Sequence, residues 1–186
     1  MFPTLSSPTP RSDEFEVGVS MTVPAAVREA LPQDAEAFNA CHVACWREAY
    51  AALWGADRLD GLDEAALAGT RRAEIERGTA RHMLAERDSE VIGVAIAGPS
   101  RDDDPPTDLE LYAIYVRAAH YGTGVSTKLL DAVLEGKPAS LWVYRDNPRA
   151  SAFYVNQGFI PDGAERNDAT GILEIRMVRK QAVPRR

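Results

Sequence analysis

Residues 110–130 read ELYAIYVRAAHYGTGVSTKLL, and this run constrains the fold more than any other part of the chain. An apolar strand ends near Val116 and a short turn follows. Gly122-Thr123-Gly124 then leads directly into a helix with Val125, Leu129, Ala132 and Val133 on one side. Two close glycines allow positive φ angles and close main-chain approach. The helix start behind them offers unpaired N–H groups and the positive end of a dipole, which together can seat a phosphate or pyrophosphate. A tight turn that simply needs two glycines is the alternative reading. Two other glycine-loop chemistries are excluded. A P-loop requires Gly-Lys-Ser/Thr, but Gly124 is followed by Val125-Ser126. A dinucleotide fingerprint requires a third glycine where Thr127 stands, and a βαβ setting where three successive strands are expected.

The surrounding periodicities give the layout. A short strand is expected at Val27–Ala30. A helix follows from Pro32 through Phe38, Cys41, Cys45 and Ala49, with Asp34 and Glu36 at the positive end of its dipole. A second helix runs from an Asp63 cap to Arg77, where Gly78 ends it. His82–Arg87 and Val91–Ala97 read as two strands joined by Asp88-Ser89. Gly98–Pro106 reads as an exposed loop, with Asp102–Asp104 as its solvated tip, and Leu109–Val116 as the next strand. After the helix Val125–Leu134 come a strand at Ser140–Tyr144 and a helix at Pro148–Gln157. Two closing strands follow, one from Phe159-Ile160 and one over Gly171–Val178. The fold class is therefore α/β (α+β): a mixed, mostly antiparallel sheet of about seven strands flanked by about four helices. The strand–helix–strand unit near the end supplies a parallel pair.

Composition narrows the function. The chain has 186 residues, 21 basic and 28 acidic, for a net charge of −7. It is 45% hydrophobic, enough for a packed core. No run reaches the ~18 apolar residues of a membrane-spanning helix, and no secretory signal pattern is present, so a cytoplasmic location with no membrane partner is expected. The acidic balance argues against a nucleic-acid partner and is compatible with a cationic substrate. Cys41 and Cys45, with His42, could in principle begin a zinc site, but no fourth ligand is near in sequence. Core thiols and no metal are expected. Residues 1–22 read as a disordered tail, 23–180 as one domain, and 181–186 as a short basic tail.

A second segment, LWVYRDNPRASAFYVNQGF at 141–159, ends a strand at Asp146-Asn147 and caps a helix that closes on Gly158-Phe159. Asn147, Ala150, Phe153, Tyr154, Gly158 and Phe159, taken with the Gly-x-Gly loop, resemble the GNAT superfamily of acyl-CoA-dependent N-acetyltransferases. The resemblance extends over roughly Val27–Val178. It implies acetyl transfer from acetyl-CoA, as acyl donor, to a primary amine of a small molecule or peptide by direct attack. Ile114, Tyr115 and Val116 would present main-chain groups to the pantetheine arm. Tyr121, Gly122, Thr123, Gly124, Val125, Ser126 and Thr127 would hold the pyrophosphate, and Asn147 would contact the arm from the neighbouring strand. Tyr154 falls on the family's general acid for the departing thiolate.

Glu110 is the candidate base, since strand alternation puts Glu110, Tyr112, Ile114 and Val116 on one face. An ion pair with a neighbouring arginine is the alternative. Trp46 and Tyr50, spaced for one helix face with Trp54, are either core or a wall of the acceptor pocket, to which Tyr112 also belongs. Two positions depart from the family loop: Tyr121 stands where Arg or Gln is usual, and Ser126 where Gly or Ala is usual. They motivate a rival reading, a non-catalytic acyl-CoA-binding or protein-interaction module on the same fold. The resemblance leaves a homodimer open.

Overall fold

The computed structural model describes residues 24–180. The two expected tails lie outside the described residues. Strand β1 (Ala26–Glu29) is followed by a 3₁₀ turn at Pro32–Asp34 and by helices α1 (Ala35–Trp54), α2 (Ala56–Asp60) and α3 (Glu64–Arg77). Next come β2 (Arg81–Arg87), β3 (Glu90–Pro99) and β4 (Leu109–Val116), then a 3₁₀ turn at Ala118–His120 and α4 (Val125–Leu134). β5 (Ala139–Tyr144), α5 (Pro148–Asn156), β6 (Ile160–Asn167) and β7 (Leu173–Arg179) complete the chain. The strand order is β1-β2-β3-β4-β5-β7-β6, every pair antiparallel except β4–β5.

Local chemistry explains the boundaries. The Asp63 side chain accepts the Ala66 amide at 2.9 Å and starts α3, and Gly78 stops it in a left-handed conformation. Asn147 accepts the Ala150 amide at 3.1 Å and starts α5, with Pro148 in the first turn. Asp88 and Ser89 both take positive φ, making the tight β2–β3 turn. The short α2 was not expected. Gly55 and Gly61 bracket it, and five residues are too few to show a period.

Two apolar clusters cover the two faces of the sheet. One joins α4 and α5 to the sheet through Leu129, Leu130, Leu141, Phe159 and Met177. The other joins α1 to β2 and β3 through Phe38, Cys41, Cys45, Leu84 and Val94. Cys41 and Cys45 are free, buried thiols in that second core. No helix among the described residues is long and apolar enough to cross a membrane.

One expectation about β4 is overturned. Leu111 pairs with Ala97 and Ala113 with Ile96, so Tyr112 is an extra residue, a β-bulge. A bulge reverses the alternation beyond it. Ile114 and Val116 face the first cluster, whereas Tyr112, Ala113 and Tyr115 face the second. Glu110, Tyr112, Ile114 and Val116 therefore do not share one face. Gly98 makes the bulge sterically possible: a Cβ there would come within 2.6 Å of the Tyr112 hydroxyl.

Candidate active site

β4 and β5 lie side by side at Glu110↔Ser140 and Leu111↔Leu141, and the paired register stops there. Beyond it the strands part like a fork. A cleft of about 540 Å³ fills the gap, lined from β4, β5, α1, α5, β7 and the loop before α4. Because successive strand residues face opposite sides, the fork joins two recesses. One lies toward α4 and α5, the other toward the end of α1 and the outer faces of β5 and β7.

On the first side stand Ile114, Val116, Ala150, Phe153 and Tyr154, with Gly122 and Ser126 at the mouth. Tyr154 is 8% exposed and packs on Phe153 and Phe159 at ring separations of 5.4 and 5.8 Å. Burial, aided by nearby Tyr50, pushes its hydroxyl well above the ordinary phenol value, so it keeps its proton at neutral pH. Gly122 and Gly124 have φ of +75° and +81°, and a Cβ on either would meet nothing within 4 Å. Gly124 is the N-cap of α4 and supplies no side-chain cap, so the first amides of a ten-residue helix lack a capping side chain at this opening. Tyr121 lines the same end, with the Arg149 guanidinium 3.0 Å from its ring centre. Of the remaining loop residues, Val125 is buried in the core, Thr123 donates to the His120 carbonyl at 2.7 Å, and Thr127 accepts from Gln157 at 3.3 Å. These three side chains hold the loop rather than line the cleft.

On the second side are Tyr50, Tyr112, Trp142, Tyr144 and Glu174. Tyr50 meets Tyr144 edge-on at 5.4 Å and stacks on Trp54 at 4.7 Å. Trp46 is not part of the lining. It is wedged between His42 and Trp54, at 4.3 and 5.6 Å, and reaches Tyr50 through Trp54. His42 is sealed there, and burial lowers its pKa to about 3, so the ring is neutral. The Tyr144 hydroxyl donates to Asp168 at 2.7 Å, and β5–β7 pairing puts Glu174 beside Tyr144. Burial raises the Tyr50 and Tyr144 hydroxyls above the ordinary phenol value, and the charge of Glu174 adds to the effect in both.

Two cleft-lining carboxylates went unrecognised in the sequence, Glu48 and Glu174. Glu48 is tied to Arg117 Nε at 2.8 Å and the Ala118 amide at 2.7 Å, which fixes the start of the loop. Glu174 accepts from Arg166 Nε at 2.7 Å and has a side chain 14% exposed. The sequence signal for Glu174 was the alternation Glu174, Arg176 among apolar residues of the last strand. Glu110, the base candidate, does not line the cleft. It is 1% exposed and gripped by Arg101, through the guanidinium to Oε1 and the backbone amide to Oε2 at 2.9 Å. The arginine-pair alternative is the one the geometry displays. Asp102 also departs from expectation. It is drawn in from the loop tip by Trp142 and Arg176, each at 2.9 Å. No cluster of three or more His, Cys, Asp or Glu groups placed for a metal ion is found among the described residues.

Residues 37–159 match the family model described as Acetyltransferase (GNAT) family. The chain belongs to the GNAT acetyltransferase family. A mycothiol acetyltransferase from Nocardia farcinica (strain IFM 10152) is 33% identical over 114 residues, which cover 60% of this chain and 35% of that protein. The chain thus spans about a third of its relative's length. Among solved structures, the PaiA N-acetyltransferase of Thermoplasma acidophilum, in complex with coenzyme A, superposes with a TM-score of 0.65. It is 17% identical and covers 85% of this chain and 99% of that one. An acetyltransferase from Thermus thermophilus gives 0.62 at 21% identity, covering 85% and 97%. These likenesses concern the fold. In this GNAT chain the two departures from the family loop acquire physical content. Tyr121 is packed by Arg149, and half-buried Ser126 faces the cleft.

The anchoring of Tyr144 gives a testable consequence. Burial works to raise the Asp168 carboxyl, but the hydroxyls of Thr170 and Tyr144 and the amides of Ile172 and Thr170 outweigh it and hold it well below the usual carboxylate range. The stability this group contributes is therefore complete above its unfolded value near pH 4 and lost as pH falls toward the folded value. Wild type should melt above Asp168→Asn at pH 6, with the gap closing below about pH 4. Thermal melts from pH 6 to pH 2.5 read this directly.

Proposed function

We propose that this GNAT chain is an N-acetyltransferase that carries an acetyl group from acetyl-CoA to a primary amine of a small molecule or peptide. The observation that carries the proposal is the fork. It presents an amide-rich helix start and a protonated tyrosine on one side, and an aromatic, carboxylate-bearing recess on the other.

Acyl-CoA chemistry fits the residues present. Open space stands where Gly122 and Gly124 lack side chains. The uncapped first turn of α4 matches a pyrophosphate by charge and hydrogen bonding. Ile114, Tyr115 and Val116 lie beyond the last β4–β5 pairing, so their main-chain groups on that edge have no strand partner. Tyr121 to Thr127 would hold the pyrophosphate, and Asn147 on the opposite rim would meet the pantetheine arm. Bound acetyl-CoA supplies an activated thioester. The protein's share is positioning, exclusion of water by the aromatic walls, and a proton. Tyr154 holds that proton on Oη and is the donor for the departing sulfur. A free alkylamine has a pKa near 10.4, so the acceptor must also lose a proton before it attacks at neutral pH.

Isothermal titration with acetyl-CoA tests the cofactor reading, and no heat at about a millimolar would sink it. Gly124→Val supplies a local check. The left-handed backbone at this position costs a β-branched residue on the order of 1–2 kcal/mol, so the loop is expected to leave its conformation. Acetyl-CoA affinity is expected to fall about tenfold with a near-normal circular dichroism spectrum.

A further inference from the structure

From the hydrogen-bond bookkeeping of the second recess we infer that its occupant is a cationic amine with an apolar or aromatic body and no carboxylate beside the nitrogen, held by Glu174. This rests on the acetyl-transfer reading only in calling the recess the acceptor site.

Three of the donors there are already committed. Tyr144 gives its hydroxyl proton to Asp168 at 2.7 Å. Tyr112 gives its own to the Pro99 carbonyl, and Trp142 Nε1 donates to Asp102 at 2.9 Å. A phenol that has donated its one proton offers a ligand only lone pairs, and an indole that has done so offers only its ring face. Glu174 is an acceptor whether or not Arg166 is bound to it, since an ionised carboxylate has several lone-pair sites. Its Arg166 contact is at Oε2, 2.7 Å away.

The cations nearby do not reverse this. Arg176 is held by Asp102 at 2.9 Å and by Asp162 at 2.8 Å. Arg166 is bound to Glu174, and its guanidinium covers the Trp142 ring at 4.1 Å. Arg101 is committed to buried Glu110. What faces the recess is therefore mostly acceptors, with the Glu174 carboxylate, the Tyr50 hydroxyl 3.4 Å from that of Tyr115, and the ring faces of Tyr50 and Tyr144. An ammonium group carries three donors and is attracted to aromatic faces. A ligand carboxylate would meet the charge of Glu174 and mostly acceptor oxygens, with the neutral Tyr50 hydroxyl as its donor and no uncommitted cation to balance it.

The experiment is calorimetric, with three probes that share a phenyl body: 2-phenylethylamine, phenylalanine and 3-phenylpropionate. Each is titrated into the 186-residue chain, with and without saturating coenzyme A. The amine is expected to bind at least about tenfold more tightly than either carboxylate-bearing probe. Glu174→Gln is expected to abolish that preference while coenzyme A affinity stays within error and the melting temperature falls by no more than about 4 °C through loss of the Arg166 pair. Equal binding of the three probes, a preference for either carboxylate, or no amine binding by about 10 mM would overturn the inference. So would a preference that survives Glu174→Gln. Should Glu174→Gln not fold, the wild-type probe comparison still decides the class of occupant. Failure of coenzyme A to bind would count against acetyl transfer, and the titrations without it would still test the recess.

Discussion

Tyr154→Phe is expected to lower kcat by about 10²- to 10³-fold while acetyl-CoA affinity changes less than about twofold. The substitution removes one oxygen and keeps the ring that packs on Phe153 and Phe159. Burial holds the Tyr154 hydroxyl protonated far past neutral pH, so the side chain is in its donor form throughout the neutral range. The departing thiol resembles cysteine, with a pKa near 8.5, and leaves tolerably well without help. This places the expected loss at the lower end of general-acid effects. Because the folded value is raised, no alkaline decline in kcat below about pH 10 should come from this group. Steady-state kinetics with a responsive amine, together with acetyl-CoA titration of the same variant, separate the proton from the packing. An unchanged kcat would remove Tyr154 from the chemistry.

The elements that carry this site were legible because each announces itself locally. Apolar alternation marked Leu109–Val116, and helical spacing marked Val125–Leu134. Asp63 and Gly78 marked the ends of α3 by caps that need only neighbouring residues. Asn147 marked the start of α5 in the same way. The cleft residues were readable where they fell inside those motifs, as Tyr154, Gly122 and Ser126 do. What escaped depends on partners distant in sequence. The bulge at Tyr112 is decided by how β4 pairs with β3 and by the missing side chain at Gly98, and a simple period of two runs straight through it. Glu174 lies in a visible alternation, but its place in the cleft follows from β5–β7 pairing, and its Arg166 partner from β6. Trp46 and Tyr50 share a helix stripe, yet only Tyr50 reaches the cleft. A helical period identifies a face and cannot tell which residue on it reaches past the core.

The fate of Glu110 turns on the same long-range pairing, and it yields the second large effect. Arg101→Ala is expected to cost about 2–3 kcal/mol of stability. For a domain of this size that is a fall of roughly 5–10 °C in melting temperature. Glu110 is 1% exposed, whereas the Arg101 side chain is 55% exposed. Removing the arginine leaves a charge in the interior with the Arg101 amide as its remaining bond from that residue. That amide, and the ease with which water reaches the arginine's place, keep the cost below that of breaking a fully buried pair. Arg101 also lies 4.0 Å over the Tyr112 ring, so some packing is lost with it. Removing the carboxylate as well, in Arg101→Ala with Glu110→Leu, should recover most of the loss, because no unpaired charge is then left behind. Glu110→Gln alone should lower the melting temperature and leave kcat within about threefold below that temperature, since the side chain stands outside the cleft. Chemical denaturation and amine-acetylation kinetics on the same three variants distinguish the roles. A kcat that collapses in Glu110→Gln at an unchanged melting temperature would return the base role to Glu110, and a stability loss with intact turnover assigns it to anchoring the 98–106 loop against the sheet.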